Sequence, residues 1–128
     1  MSIIVGYTTK PEGEAALRHA VVEARVHGES LVVVNIGFGV HPETTTAREE
    51  DLDAVRRTLN ETDIEYTVRQ LVRGKEPAEE IVTLADELGA TLIVIGLRRR
   101  SPVGKLLLGS NAQQILLDAN CPVVAVKA

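Results

Sequence analysis

Stretches that are apolar at nearly every position alternate along this chain with stretches whose apolar residues recur at helical spacing, and few folds accept that alternation. The strand-like runs are Ile3 to Gly6, Leu31 to Ile36, Tyr66 to Val72, Leu92 to Ile95 and Val123 to Val126, all but Tyr66 to Val72 apolar at nearly every position. The run Thr91-Leu92-Ile93-Val94-Ile95 suits a parallel strand covered on both faces better than a surface strand of alternating polarity. Between the runs, Ala16, Ala20, Val21 and Ala24 share one helical face, and Leu52, Val55 and Leu59 share a second. Ala78, Ile81, Val82, Ala85 and Leu88 form a third, and Ala112, Ile115, Leu116 and Ala119 a fourth. Five strands interleaved with four helices predict an α/β chain: a single doubly wound domain over residues 1–128, its five-stranded parallel sheet carrying the helices on two faces through right-handed crossovers.

Local punctuation agrees with this division. Pro77 falls where a first helical turn begins, Gly28 and Gly89 fall where helices end, and Thr9 with Glu12 has capping-box spacing. From Gly37 to Thr46, glycine, proline and a threonine run replace periodicity, so a mobile loop is expected after the second strand. No internal repeat, low-complexity tract or domain linker is visible.

Size and charge narrow the function classes. A chain of 128 residues buries about two thirds of its unfolded surface, enough for a core without staples. Cys121 is the only cysteine, which leaves no intrachain disulfide, and it reads as a small apolar residue at a strand start because nothing nearby supplies an activating base. Neither a charged-then-apolar leader nor an apolar run near the roughly 18 residues of a membrane span is present, so a cytoplasmic protein without a membrane partner is expected. A net charge of −4 argues against general nucleic-acid binding. His19, His27 and His41 lack metal-ligand spacing, and no metal is assigned. Glu49, Glu50 and Asp51 suit the start of the second helix.

Basic residues gather against this acidic background in one place. After the strand ending at Gly96, the loop holds Arg98, Arg99, Arg100 and Lys105, and Gly109-Ser110-Asn111 then opens a helix. Glycines admit close backbone approach, and a helix N-terminus presents free N–H groups and the positive end of its dipole. A small anion such as phosphate is the natural occupant. Each residue also has an ordinary role open to it. Gly96 and Gly109 are turn residues as well as phosphate contacts, and the arginines form a solvated loop or a clamp, with Arg98 and Arg99 ahead of Arg100. Ser110 caps the helix, since Ser110-Asn111-Ala112-Gln113 has capping-box spacing, touches a ligand, or does both.

The stretch resembles the universal stress protein family, whose signature is a glycine, two residues, a second glycine, nine residues, then glycine followed by serine or threonine. Gly96 matches the first glycine and Gly109-Ser110 the closing pair, while Arg99 stands at the second. The resemblance extends to the Ile3 to Tyr7 strand, the Glu12 to Gly28 helix, the Leu31 to Ile36 strand and the closing Asn120 to Val126 segment. It implies a small homodimeric module for stress response or signalling that binds ATP or a related adenine nucleotide. Pairing would run through the Pro122 to Lys127 edge strand, which is apolar enough to serve as a surface for it.

For the strand order 3-2-1-4-5, ligands bind beyond the carboxyl ends of strands one and four, where the order reverses. Tyr7, Thr8 and Thr9 then face Gly96, and by resemblance Ile36 lines the adenine pocket. ATP-binding members usually carry an aspartate at the position of Thr8, and threonine brings a shorter reach and no charge. Arg99 either obstructs the phosphate path or pairs with phosphate through its fork of donors. Those two departures leave a second reading, a dimeric scaffold of the same fold with a degenerate site. No constellation resembles catalysis, because the strand ends offer threonine, glycine and arginine where a hydrolase places carboxylates for magnesium; turnover is expected to be slow or absent. A phospho-receiver is disfavoured by the lack of an acidic pair after strand one, and a flavin carrier by two tyrosines and one phenylalanine.

Overall fold

The computed structural model describes residues 1–36, 49–71, 76–98 and 109–128. Arg99, Arg100, Lys105, His41 and the expected Gly37 to Thr46 loop lie outside the described residues. In chain order the elements are β1 (Ser2–Tyr7), α1 (Pro11–His27), β2 (Ser30–Asn35), α2 (Glu49–Asn60), β3 (Tyr66–Gln70), α3 (Pro77–Leu88), β4 (Leu92–Leu97), α4 (Ser110–Asp118) and β5 (Val123–Lys127). All strand pairs are parallel, and the order is β3-β2-β1-β4-β5, the doubly wound sheet expected from the alternation.

Every residue of β1 is buried, which follows from its central place in a sheet with helices on both sides. Its side chains alternate between two cores. Ile3, Val5 and Tyr7 pack with Ala16, Ala20 and Ala24 of α1 and with Leu52, Val55 and Leu59 of α2. Ile4 packs on the other face with Ala78, Ile81 and Ala85 of α3 and Ile115 of α4. Small alanines on α1 let that helix lie close to the sheet.

Several boundaries depart from expectation. The third strand ends at Gln70 rather than Val72. Leu88 and Leu116 are 38% and 39% exposed, so neither belongs to a buried face as expected. Leu88 sits in the last turn of α3, and Leu116 flanks the narrow stripe of Ala112, Ile115 and Ala119, while Leu84 packs against the core instead.

Both expected capping boxes are absent. Lys10 is the N-cap of α1 with Pro11 following, so Thr9 lies before the cap and Glu12 falls one position short of the box. Gly109 is the N-cap of α4, its carbonyl accepting the Gln113 N–H at 3.0 Å, which puts Ser110 inside the helix. Gly28 and Gly89 do end their helices, with left-handed φ of 65° and 61° that favour glycine. Among the described residues, no helix is long and apolar enough to cross a membrane.

The two sides of α4 should differ sharply in stability tests. Ile115 is 0% exposed and Leu117 75% exposed. Ile115→Ala is expected to cost about 2–5 kcal/mol, and Leu117→Ala to stay within about 0.5 kcal/mol, both read from urea denaturation midpoints.

Candidate functional site

The sheet opens at its carboxyl edge between β1 and β4. Pairing of β1 with β2 runs to Tyr7 and Asn35, and pairing of β4 with β5 runs to Leu97 and Lys127. Pairing of β1 with β4 stops earlier, at Val5 and Val94. Because all strands are parallel, every helix that follows a strand begins at this edge, and the opening is the switch point where ligands bind in open α/β sheets.

The first turn of α1 closes down on the opening from one side. A Cβ added to Gly96 would lie 2.0 Å from the Glu12 carbonyl oxygen, and one added to Gly13 would lie 2.2 Å from the Thr8 carbonyl oxygen. Gly96 is therefore a glycine required by helix-on-strand packing. Gly109 differs: its φ is −67° and among the described residues an added Cβ would meet nothing within 4 Å, so the described fold makes no demand for glycine there.

Tyr7, Thr8 and Thr9 all lie at the opening, but their polar groups are largely engaged within the protein. The Tyr7 hydroxyl donates to Glu14 Oε1 at 2.7 Å, and the Tyr7 carbonyl accepts both the Ile36 N–H and the Asn35 side-chain amide at 3.0 Å. Burial, the bond to Glu14 and the charges of Glu14 and Asp51 push the Tyr7 phenol well above its ordinary range. Buried Thr8 accepts the Lys10 N–H on its hydroxyl at 3.3 Å. Ile36 is 3% exposed and packs in the α3/α4 core. Arg98 is exposed.

Helix ends decide where an anion is welcome. Glu12 and Glu14 occupy the first turn of α1, Glu49, Glu50 and Asp51 that of α2, and Glu79 and Glu80 that of α3. The first turn of α4 has no acidic residue, and no side chain caps it among the described residues. Its N–H groups at Ser110 and Asn111 thus present a positive end that no carboxylate complements.

Three residues at the opening were passed over in the sequence. Glu12 and Gly13 are set by the approach of α1, and Gly13 left a trace as a glycine inside a helical pattern. Asn35 left one as the single polar residue in Leu31 to Ile36. Among the described residues no cluster of three or more histidine, cysteine or acidic side chains is placed to hold a metal ion. His19 and His27 instead bond to Glu23 at 3.2 and 3.1 Å, and Cys121 is half-buried, its thiol pushed up by burial and by Asp86.

Comparison with known proteins adds the family. The sequence model of the universal stress protein family matches residues 1–127. A universal stress protein of Mycolicibacterium smegmatis is 41% identical over 98% of this chain and 96% of its own length. A solved universal stress protein of Archaeoglobus fulgidus shares 37% identity with a TM-score of 0.70, covering 98% of this chain and 97% of that one. Another from the same organism, solved in complex with dAMP, shares 31% identity with a TM-score of 0.64, covering 98% and 96%.

The two loop-flanking glycines should separate packing from ligand space. Gly96→Ala drives a Cβ into the α1 backbone and is expected to cost about 1–3 kcal/mol. Gly109→Ser supplies a capping hydroxyl at a position that no other described residue crowds and should be neutral or stabilise by a few tenths of a kcal/mol. Urea melts of the two variants beside the parent check the contrast.

Proposed function

The chain belongs to the universal stress protein family, and on that premise we propose that it binds an adenine nucleotide at the opening between β1 and β4, with phosphate against the N-terminus of α4. The observation that carries this reading is the first turn of α4, which differs from those of the other three helices in holding no carboxylate. Phosphate there would accept N–H bonds from the Gly109, Ser110 and Asn111 region, where an unfilled Cβ position at Gly109 leaves room for it. Arg98 and Arg99 supply charge, Gly96 holds the strand end in place, and Tyr7, Thr8, Thr9 and Ile36 border the nucleoside side. The dAMP complex of the Archaeoglobus fulgidus relative supports a nucleotide of adenine type.

In this reading the phosphate end dominates affinity. The Thr8 hydroxyl, at the position where ATP-binding relatives usually carry aspartate, is already bonded to Lys10. The protein acts as a cytoplasmic stress or signalling module, responding by binding rather than by turnover. Two subunits pair through the Pro122 to Lys127 edge, whose residues Val123 to Val126 are half-buried in the single chain. Engagement of Thr8 is also what favours the second reading, a dimeric scaffold without nucleotide.

Calorimetry distinguishes these. ATP and AMP should bind at least tenfold, or ~1.4 kcal/mol, more tightly than adenosine. Gly109→Val should abolish nucleotide binding at a capping cost of about 1 kcal/mol. Equal affinity for all three ligands would show that the phosphate end is idle. No binding at millimolar nucleotide, in the parent or in Arg99→Gly, would leave the scaffold. A monomeric mass in light scattering would remove the dimer.

A further inference from the structure

The sheet has two open edges, β3 and β5, and they are built differently. On β3 the exposed residues are Thr67, Arg69 and Gln70, and polar or charged side chains along an edge discourage pairing with another chain. On β5 the residues Val123, Val124, Ala125 and Val126 are all half-buried, and Lys127 alone is charged. Val123 and Ala125 pack on the α3/α4 face and Val126 on the α1/α2 face, where Val124 also lies because its register partner is Val94 of that core. This edge is therefore apolar on both faces and guarded only at its end.

The backbone of β5 is set for one more strand. Successive residues of a strand direct their N–H and C=O groups to opposite edges. The Pro122 carbonyl accepts the Ile93 N–H at 3.0 Å, so Pro122, Val124 and Val126 face β4. Val123, Ala125 and Lys127 face outward, and among the described residues their N–H and C=O groups have no partner. These outward residues are symmetric about Ala125, so a two-fold axis at Ala125 gives each of them an outward residue opposite. An axis at Val124 would leave Lys127 with nothing opposite it in the strand, and an axis at Val126 would leave Val123 so. The Ala125 axis also keeps the two lysines four residues apart, about 14 Å along the strands, where like charges brought together would oppose pairing.

We propose that two copies of this chain join β5 to β5 in one antiparallel register, with Ala125 on the two-fold axis. The register rests on the subunit pairing of the proposed function and specifies it residue by residue. Ala125 exchanges both hydrogen bonds with the partner's Ala125, and Val123 does so with the partner's Lys127. Val124 meets the partner's Val126 at the closer spacing of a pair without hydrogen bonds, a β-branched contact on the α1/α2 face. The partner's Lys127 arrives opposite Val123, at the amino end of the sheet on the α3/α4 face. Asp86 stands at that end, in the last turn of α3, and the last turn of α4 holds no basic residue, so a cation is favoured there. Antiparallel pairing sets the two β1/β4 openings at opposite ends of one continuous sheet, and neither opening depends on the other subunit.

The test is a cysteine scan of β5 in the full chain carrying Cys121→Ala, oxidised and read as disulfide-linked dimer on non-reducing gels, beside light scattering of the parent. Ala125→Cys should cross-link fastest, because the Cα atoms of a hydrogen-bonded pair lie about 5.5 Å apart, within disulfide reach. Val123→Cys, Val124→Cys and Val126→Cys are each displaced from their own copies across the axis and should cross-link at least tenfold more slowly. Ala125→Pro removes an N–H that faces away from β4, so the fold should survive in far-UV circular dichroism while the mass falls to that of one chain. If Ala125→Pro does not fold, the cysteine scan decides. A dimeric parent in which another position cross-links as fast as Ala125→Cys, or a folded Ala125→Pro that stays dimeric, would overturn the register and leave the dimer standing. A monomeric parent would remove the pairing itself and the register with it.

Discussion

Backbone against backbone at the start of α1 is the contact on which this structure depends. The Glu12 carbonyl lies so close to Gly96, and the Thr8 main chain so close to Gly13, that neither position has room for a Cβ. Close-packed interiors transmit such fits rather than absorb them. With α1 seated on both strand ends, β1 and β4 part after Val5 and Val94 while their outer pairings continue. The opening at the carboxyl edge, which the reversal of strand order creates, is thus bordered by a tightly seated helix. The glycine that begins the family signature is accounted for by this fit before any ligand is considered.

Charge is then distributed around that frame in an asymmetric way. The protein is acidic overall, and three of its helices carry glutamate or aspartate in their first turns, each complementing its own dipole. Those same carboxylates repel anions from the edge of the sheet. At α4 the first turn is Ser110, Asn111 and Ala112, and the positive end stays uncomplemented there. At the carboxyl edge, α4 is therefore the one helix among the described residues whose first turn holds no carboxylate. That helix end belongs to the α3/α4 face of the sheet, opposite the α1/α2 core.

How much of this was legible in the sequence depends on whether a feature is local. The strands could be read because a parallel strand buried on both faces needs an unbroken apolar run, as in Ile3 to Val5 and Leu92 to Ile95. The helical faces could be read where the stripe is central, as for Leu52, Val55 and Leu59, and failed at margins such as Leu88 and Leu116, whose exposure depends on where the helix ends or how wide its buried stripe is. Helix starts at Thr9 and Ser110 were misplaced because capping-box spacing says which residues are able to cap, whereas Lys10 and Gly109 hold the extended backbone that does so. The meaning of Gly96 was not legible at all. A motif fixes its position near the end of β4, but the neighbour that demands glycine, Glu12, is supplied by tertiary packing on the sheet.

The end of β1 turns most of its polar groups back into the protein. The Tyr7 carbonyl already accepts two donors, from Ile36 and Asn35, so neither of its lone pairs remains for a ligand. The Tyr7 hydroxyl is committed to Glu14 on the α1/α2 face, and the Thr8 hydroxyl turns back to Lys10 at the start of α1. A longer acidic side chain at that position would reach beyond such a local turn, which threonine does not. Its short hydroxyl lies beneath Gly13 and accepts the Lys10 N–H at the entry into α1. Among the described residues no side chain caps the N–H end of α4, and none lies within 4 Å of a Cβ at Gly109.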